Sequence, residues 1–209
     1  ALLPDSQTNF PLLPQIGISC VHGHILRYMV SVQNKIVRQW LKAAAAAIPM
    51  IAVMAAIFAL SNQAGTESAE TSSGVAEWIV GLLGMEVPPG MSASDVPIVF
   101  GLNIRKLAHV FLYMLLGGTS FLFVAMLPFK ASAFVRPAIC AGGAAVISFL
   151  YACSDELHQS FVAGRDGKFA DVGVDAIGFL TVSILILAVW YLVLLWKHRH
   201  SPDISPHAK

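Results

Sequence analysis

Ionisable side chains crowd into three short stretches of this 209-residue sequence. The first holds Arg105 and Lys106, followed by His109 and Tyr113 at successive i+4 steps from Arg105. The second is Ser154-Asp155-Glu156-Leu157-His158-Gln159. The third runs Ala163-Gly164-Arg165-Asp166-Gly167-Lys168 and on to Asp171 and Asp175, again an i+4 pair. On a helix, i+4 neighbours share one face. Arg105, Lys106, Arg165 and Lys168 offer donors for an anion, and the arginine fork suits phosphate. A helix beginning near Asp171 adds free backbone N–H groups and a positive dipole end, for some of which Asp171 as N-cap would compete. Asp155 and His158, at i and i+3, could bind a divalent ion or form an acid–base pair with His109, Asp171 or Asp175. Asp155, Glu156, His158 and His109 are thus the candidate catalytic groups. Adjacent carboxylates in an apolar setting split their pKa values, which acid–base chemistry exploits. No HExxH and no paired Glu-x-x-His is present, so the metal identity stays unknown.

Each group also has a plainer role open to it. Asp175 could form an intramembrane ion pair with Arg165 or Arg105, and His109 could be a hydrogen-bonded packing residue. Asp155 and Glu156 could end a helix in solvent. Gly164 and Gly167 read as turn residues, and Lys168 as a loop charge. Only their joint placement lifts the set above these readings.

The elements that must position the groups follow from composition. Of all residues 56% are apolar and 12% are Asp, Glu, Lys or Arg, with a mean hydropathy of +0.71. Average soluble domains carry about 25% charged residues, which argues against a water-soluble globule, including a soluble helical bundle, and against a disordered chain. Net charge is +1 with no basic stripe, which argues against nucleic acid. The cysteines, at 20, 140 and 153, have no CxxC spacing, and neither a disulfide scaffold nor a structural zinc site is expected. Four runs suit membrane spans: Ala43 to Leu60, Leu107 to Leu127, Pro137 to Ser154, and Val172 to Trp196. The fold expected is all-α, an integral membrane four-helix bundle.

Lys35, Arg38 and Lys42 precede the first run, Lys130 and Arg136 separate the second and third, and Lys197 and Arg199 follow the fourth. The 61–104 connection has Glu67, Glu70, Glu77, Glu86 and Asp95 but no Lys or Arg before Arg105. Positive-inside bias puts both termini in the cytoplasm and the 61–104 and 155–171 loops outside. The three ionisable stretches then meet at one membrane depth, where charges face a polar cavity or each other. Within 61–104, Val75, Trp78, Ile79, Leu82 and Leu83 repeat at helical spacing behind Ser72 and Ser73 as possible caps. That spacing predicts a short amphipathic helix, ended by Pro88-Pro89-Gly90 and lying at the outer interface or over the bundle. Gly117, Gly118, Gly142, Gly143 and Gly178 read as sites of close helix packing. Residues 1–34 are expected to be a poorly ordered extension, 35–199 the membrane domain, and 200–209 a mobile tail.

The run from Asn103 to Tyr113, with Asp155 to Arg165 and Asp171 to Asp175 downstream, resembles the VanZ-like family, and Ser61-Asn62-Gln63 resembles its Ser-x-Gln element. The resemblance covers residues 40–190. It implies a small bacterial inner-membrane protein of about four helices, linked through the family's namesake to resistance against the glycopeptide teicoplanin. It places motif residues at Arg105, Lys106, His109, Tyr113, Asp155, Glu156, His158, Gln159, Arg165, Asp171 and Asp175. Leu112 stands where the family often has Glu, and Ala163 where it often has Pro. Two functions follow as expectations. One is an envelope protein whose Arg105, Lys106, Tyr113, Gln159, Arg165, Asp171 and Asp175 hold an anionic membrane lipid, a lipid-linked cell-wall precursor or a lipoglycopeptide. The other is a membrane hydrolase or transferase acting on a lipid-linked phosphate, ester or glycan, with a divalent metal ion as the one cofactor the residues suggest.

Overall fold

The computed structural model describes residues 16–99, 101–165 and 167–200. These form α1 (Ile16–Ser61), α2 (Gly65–Leu82), α3 (Ile104–Met126), α4 (Arg136–Gln159) and α5 (Phe169–His200), with one 3-10 turn at Ala93–Asp95. Among the described residues there is no strand, only an isolated bridge between Val99 and Leu102. The chain divides into two compact units, 1–39 and 40–209. In the first, the described residues are helical, and Lys35 and Arg38 stand exposed on them. Helix α1 begins at Ile16, inside the stretch set apart on sequence as an extension. Residues 1–15 and 201–209 lie outside the described residues.

Four helices are long and apolar enough to cross a membrane: Arg27–Ser61, Ile104–Met126, Arg136–Gln159 and Phe169–His200. A hydrocarbon core of about 30 Å needs roughly 20 helical residues. Three of the expected runs thus lie inside longer helices, and the second overruns its helix by one residue, the C-cap Leu127. The outer surface of the second unit suits lipid rather than water. Ile48, Phe111, Val146, Leu150, Ile184 and Leu192 are all exposed, while Asp155, Asp175, Ser120, Ser148 and Ser183 are buried. In water such an apolar surface would associate. In a bilayer it is the ordinary outside, and the small and polar residues turn inward.

Helices α3, α4 and α5 pack as a trio. Ile57 of α1 joins their core with Tyr113, Leu116, Ala152, Val172 and Phe179. Tyr151 adds a hydroxyl bond to the Met54 carbonyl. A second cluster, Phe121, Val124, Cys140, Ala141 and Ala144, fills the other end of the trio. There Arg136 closes the end of α3, donating from Nη2 to the Ala125 carbonyl at 2.8 Å and lying over the Phe129 ring. The α3–α5 crossing depends on glycine. A Cβ on Gly178 would sit 2.2 Å from the Val110 carbonyl oxygen, and one on Gly117 would sit 2.9 Å from the Phe179 Cα. Gly143 likewise faces Val124 at 3.2 Å, and Gly118 is in ordinary contact with Val182. Gly142 does not follow the packing expectation, since nothing lies within 4 Å of its would-be Cβ.

Helix α2 is present in the 61–104 connection, but its ends differ from those expected. It starts at Gly65, so Ser72 and Ser73 are interior, and their hydroxyls bond back to the Ser68 and Glu70 carbonyls. That local bond satisfies them without a cap. The helix stops before the prolines, at a left-handed Gly84 with φ +63°. Its N–H meets the Gly81 carbonyl, and the Met85 N–H meets that of Val80, a Schellman closure. Ala76 and Val80 turn inward, while Val75, Trp78 and Leu82 are exposed.

Overpacking a tight contact costs about 1–3 kcal/mol or more. Gly178→Ala should therefore lower the thermal midpoint of the detergent-solubilised protein clearly, whereas Gly142→Ala should leave it within measurement error. Equal midpoints for the two variants would remove the crossing from its place in the fold.

Candidate functional site

The site is assembled at one end of the trio, where α3 and α5 begin and α4 ends. Asn103 caps α3 by accepting the Lys106 N–H at 3.1 Å, so the helix starts three residues earlier than its apolar run. The first two turns then present Arg105, Lys106 and His109, with Tyr113 one turn deeper and fully buried. Helix α5 starts at Phe169, so Asp171 lies in its first turn and does not cap it. Its carboxylate instead meets Lys106 Nζ at 2.8 Å. One turn further, Asp175 is 1% exposed and its Oδ1 lies 3.3 Å from His109 Nδ1. The partner of Asp175 is therefore His109, not Arg165 or Arg105. This pair sits beside the glycine crossing, as Gly178 is one turn along from Asp175 and Val110 adjoins His109.

Helix α4 does not end in solvent. Asp155, Glu156 and Gln159 are all buried. Ser61 Oγ donates to Asp155 Oδ2 at 3.0 Å, and Gln159 Nε2 donates to the same oxygen at 2.9 Å. The end of α1 is thus tied to the end of α4 through one carboxylate. Glu156 turns the other way and accepts the Lys168 N–H at 2.9 Å. There the loop lies against α4 so closely that a Cβ on Gly167 would be 2.2 Å from the Glu156 carbonyl oxygen. Gly167 is a close-approach residue, while Gly164, at φ +73°, is the turn residue expected. Arg165 spans outward from this loop, its Nη2 donating to Ser68 Oγ at 2.7 Å and to the Leu60 carbonyl at 3.3 Å. Burial and the neighbouring Arg105 draw its pKa below the ordinary guanidinium value, opposed by Asp155 and Glu156. A guanidinium starts so far above neutrality that Arg165 stays cationic.

These residues enclose a cavity of about 230 Å³, lined by Arg105, Lys106, His109, Glu156, Gln159, Arg165, Lys168, Asp171 and Asp175, with Asn103, Gly164 and Val174. Four cations and a histidine share the wall with three carboxylates. The Nε atoms of Arg105 and Arg165 are buried without a partner. His158 stands apart from this wall. It stacks on Phe58 at 4.8 Å and meets Asn62 Oδ1 at 3.3 Å, so its i+3 spacing from Asp155 does not bring the two to one chemistry. Asp155 and Tyr113 lie outside the lining too, yet one ligand atom each from His109, Asp155 and Asp175 falls within 4.8 Å of the others.

A second, apolar cavity of about 390 Å³ adjoins the first. Ile57, Leu60, Val75, Ile104, Leu107, Phe111 and Leu112 line it, and Arg105, His109 and Arg165 belong to both walls. Leu112 thus helps keep this groove apolar. Sequence reasoning on spacing alone missed Ser61, Ser68, Asn103 and the Leu60 carbonyl as partners. All four act across 90 residues or at a helix start, and only the polar triplet 61–63 at the end of an apolar run marked the place.

A protein-family profile described as VanZ/LLP1 matches residues 46–202, a stretch that contains all of the candidate residues. No curated protein and no solved structure matches the chain. The matched stretch takes in most of the sequence, the end of the first apolar helix, the other three entire and the polar motifs, and on that footing the chain belongs to the VanZ/LLP1 family.

Proposed function

We propose that this membrane protein binds an amphiphile with an anionic head, the head in the polar cavity and the chain in the apolar groove. The observation that carries this reading is that the two cavities share Arg105, His109 and Arg165. A charged group held there stays within reach of two guanidinium groups while its hydrocarbon lies against Leu107, Phe111 and Leu112. Anionic phospholipids, lipid-linked cell-wall precursors and lipoglycopeptides share that chemistry. The Lys/Arg distribution supports a site on the outer side of the bacterial cytoplasmic membrane, with both termini in the cytoplasm. Glycopeptide resistance fits an outward site of this kind.

A second reading has the His109–Asp175 pair in its favour. A histidine oriented by a buried carboxylate at a cavity wall is a general base in waiting, which suits a hydrolase or transferase for lipid-linked phosphates, esters or glycans. In that reading His109 does the proton transfer and His158 does not. Turnover lost in His109→Gln and kept in His158→Gln is its expected signature.

The amphiphile reading is tested by native mass spectrometry of protein released from phosphatidylglycerol nanodiscs, with polyprenyl phosphate added in a second series. A charge-assisted hydrogen bond contributes about 1.5–3 kcal/mol, or about 10–100-fold in occupancy. Arg105→Ala and Arg165→Ala should each lose the lipid adduct by that factor, and Lys130→Ala, an exposed residue of the α3–α4 connection, should keep it. Adducts unchanged in both arginine variants would overturn the assignment. For sidedness, an impermeant maleimide should label Glu86→Cys in intact cells and Ser132→Cys only after lysis, in a background lacking the native cysteines.

A further inference from the structure

We propose that His109, Asp155 and Asp175 hold a divalent cation of the class that accepts mixed nitrogen and oxygen ligands, such as Mn²⁺ or Zn²⁺. One ligand atom from each lies within 4.8 Å of the other two. Two donors on opposite sides of such an ion are about 4.2 Å apart, at roughly 2.1 Å each. Neighbouring donors on such an ion lie about 3–3.4 Å apart, so side-chain rotations that draw the three groups together by about an ångström complete the site.

A group of acids alone would not argue for an ion, but three buried atoms here have no partner. Asp155 Oδ1, Asp175 Oδ2 and the Tyr113 hydroxyl make no hydrogen bond. Asp155 is 4% exposed, Asp175 1% and Tyr113 0%. Buried polar groups are nearly always paired, and a buried charge needs a counter-charge. His109 answers Asp175 on Oδ1 only, and Ser61 and Gln159 both answer Asp155 on Oδ2. Each carboxylate is thus anchored by one oxygen and offers the other, and Ser61 and Gln159, outside the ligand set, hold Asp155 as outer partners hold metal ligands. Tyr113 lies one turn from His109 and within electrostatic reach of Asp155 and Asp175, where its hydroxyl could meet a water on the ion.

The donor set decides the class. Two carboxylates neutralise a divalent ion, and imidazole beside carboxylate suits first-row metals better than Ca²⁺. Three protein ligands leave positions open, and His109 and Asp175 both line the polar cavity. Arg105 and Arg165 on the same wall repel a lone cation, while the two adjacent carboxylates offset it. With the ion in place the wall becomes more positive, which strengthens its hold on an anion.

The test uses metal alone, so it stands or falls separately from lipid binding. The full chain, purified in detergent and dialysed against chelator, is titrated with Mn²⁺ while the free-ion electron paramagnetic resonance signal is followed, then challenged with Zn²⁺. One saturable site is expected. Asp155→Asn and Asp175→Asn should each weaken it by about 10–100-fold, a loss that even outer-shell changes produce. Asp95→Asn, an exposed acid of the α2–α3 connection outside the cavity wall, should retain it. Where an Asn variant fails to fold, the wild type still decides, because bound Mn²⁺ should show nitrogen coupling from His109 in pulsed spectra. No binding at millimolar metal, wild-type affinity in either Asn variant, or bound Mn²⁺ without nitrogen coupling would each overturn the proposal.

Discussion

The close approach of α3 and α5 is the constraint from which the site follows. With Gly178 under the Val110 carbonyl and Gly117 against Phe179, the two backbones come nearer than any side chain would permit. Lipid tails give helices no hydrophobic reason to associate, so such backbone contact carries much of the packing. The same contact sets the distance between His109, just before Val110, and Asp175, one turn before Gly178. A longer separation would leave a carboxylate at 1% exposure without its one partner. Packing and electrostatics at this end of the bundle are thus one problem with one solution.

Around that pair, the polar groups are satisfied by elements distant in sequence. Ser61 at the end of α1 and Gln159 at the end of α4 converge on Asp155. Arg165 reaches from the α4–α5 loop to the Leu60 carbonyl and to Ser68 of α2. Apart from the Gln159–Asp155 bond within α4, each of these joins two different segments, so the site end is the place where α1, α2 and the loop are held in register with the trio. The opposite end relies on Arg136 and a purely apolar cluster. Structural polarity therefore runs along the bundle axis.

The apolar runs made the four spans legible because length and hydropathy alone set them. Their ends were less so, because Arg105 and Lys106 in α3 and Asp171 in α5 are helical yet interrupt the apolar signal. The convergence of three ionisable stretches was readable from topology, as was the i+4 placement of Arg105, His109 and Tyr113. Pairing was not. Asp175 has two arginines and a histidine within plausible reach on paper, and only the glycine crossing selects the histidine. His158 shows the limit of spacing arguments, since i+3 from Asp155 puts it near the same face but Phe58 and Asn62 draw its ring away. Ser72 and Ser73 show another, as a serine near a predicted helix start serves equally well inside the helix by bonding back to its own turn.

The α4–α5 loop is fastened chiefly through main-chain atoms. The Lys168 N–H meets Glu156, Gly167 lies on the α4 backbone, and the Arg165 N–H bonds the Val162 carbonyl. Phe161, Ala163 and Phe169 meanwhile stand in the open. The loop's shape is therefore largely independent of the side chains it displays. Substitutions at 161, 163 and 169 can change what the rim presents without moving Arg165. The rim can therefore change its chemistry while the floor beneath it keeps its geometry.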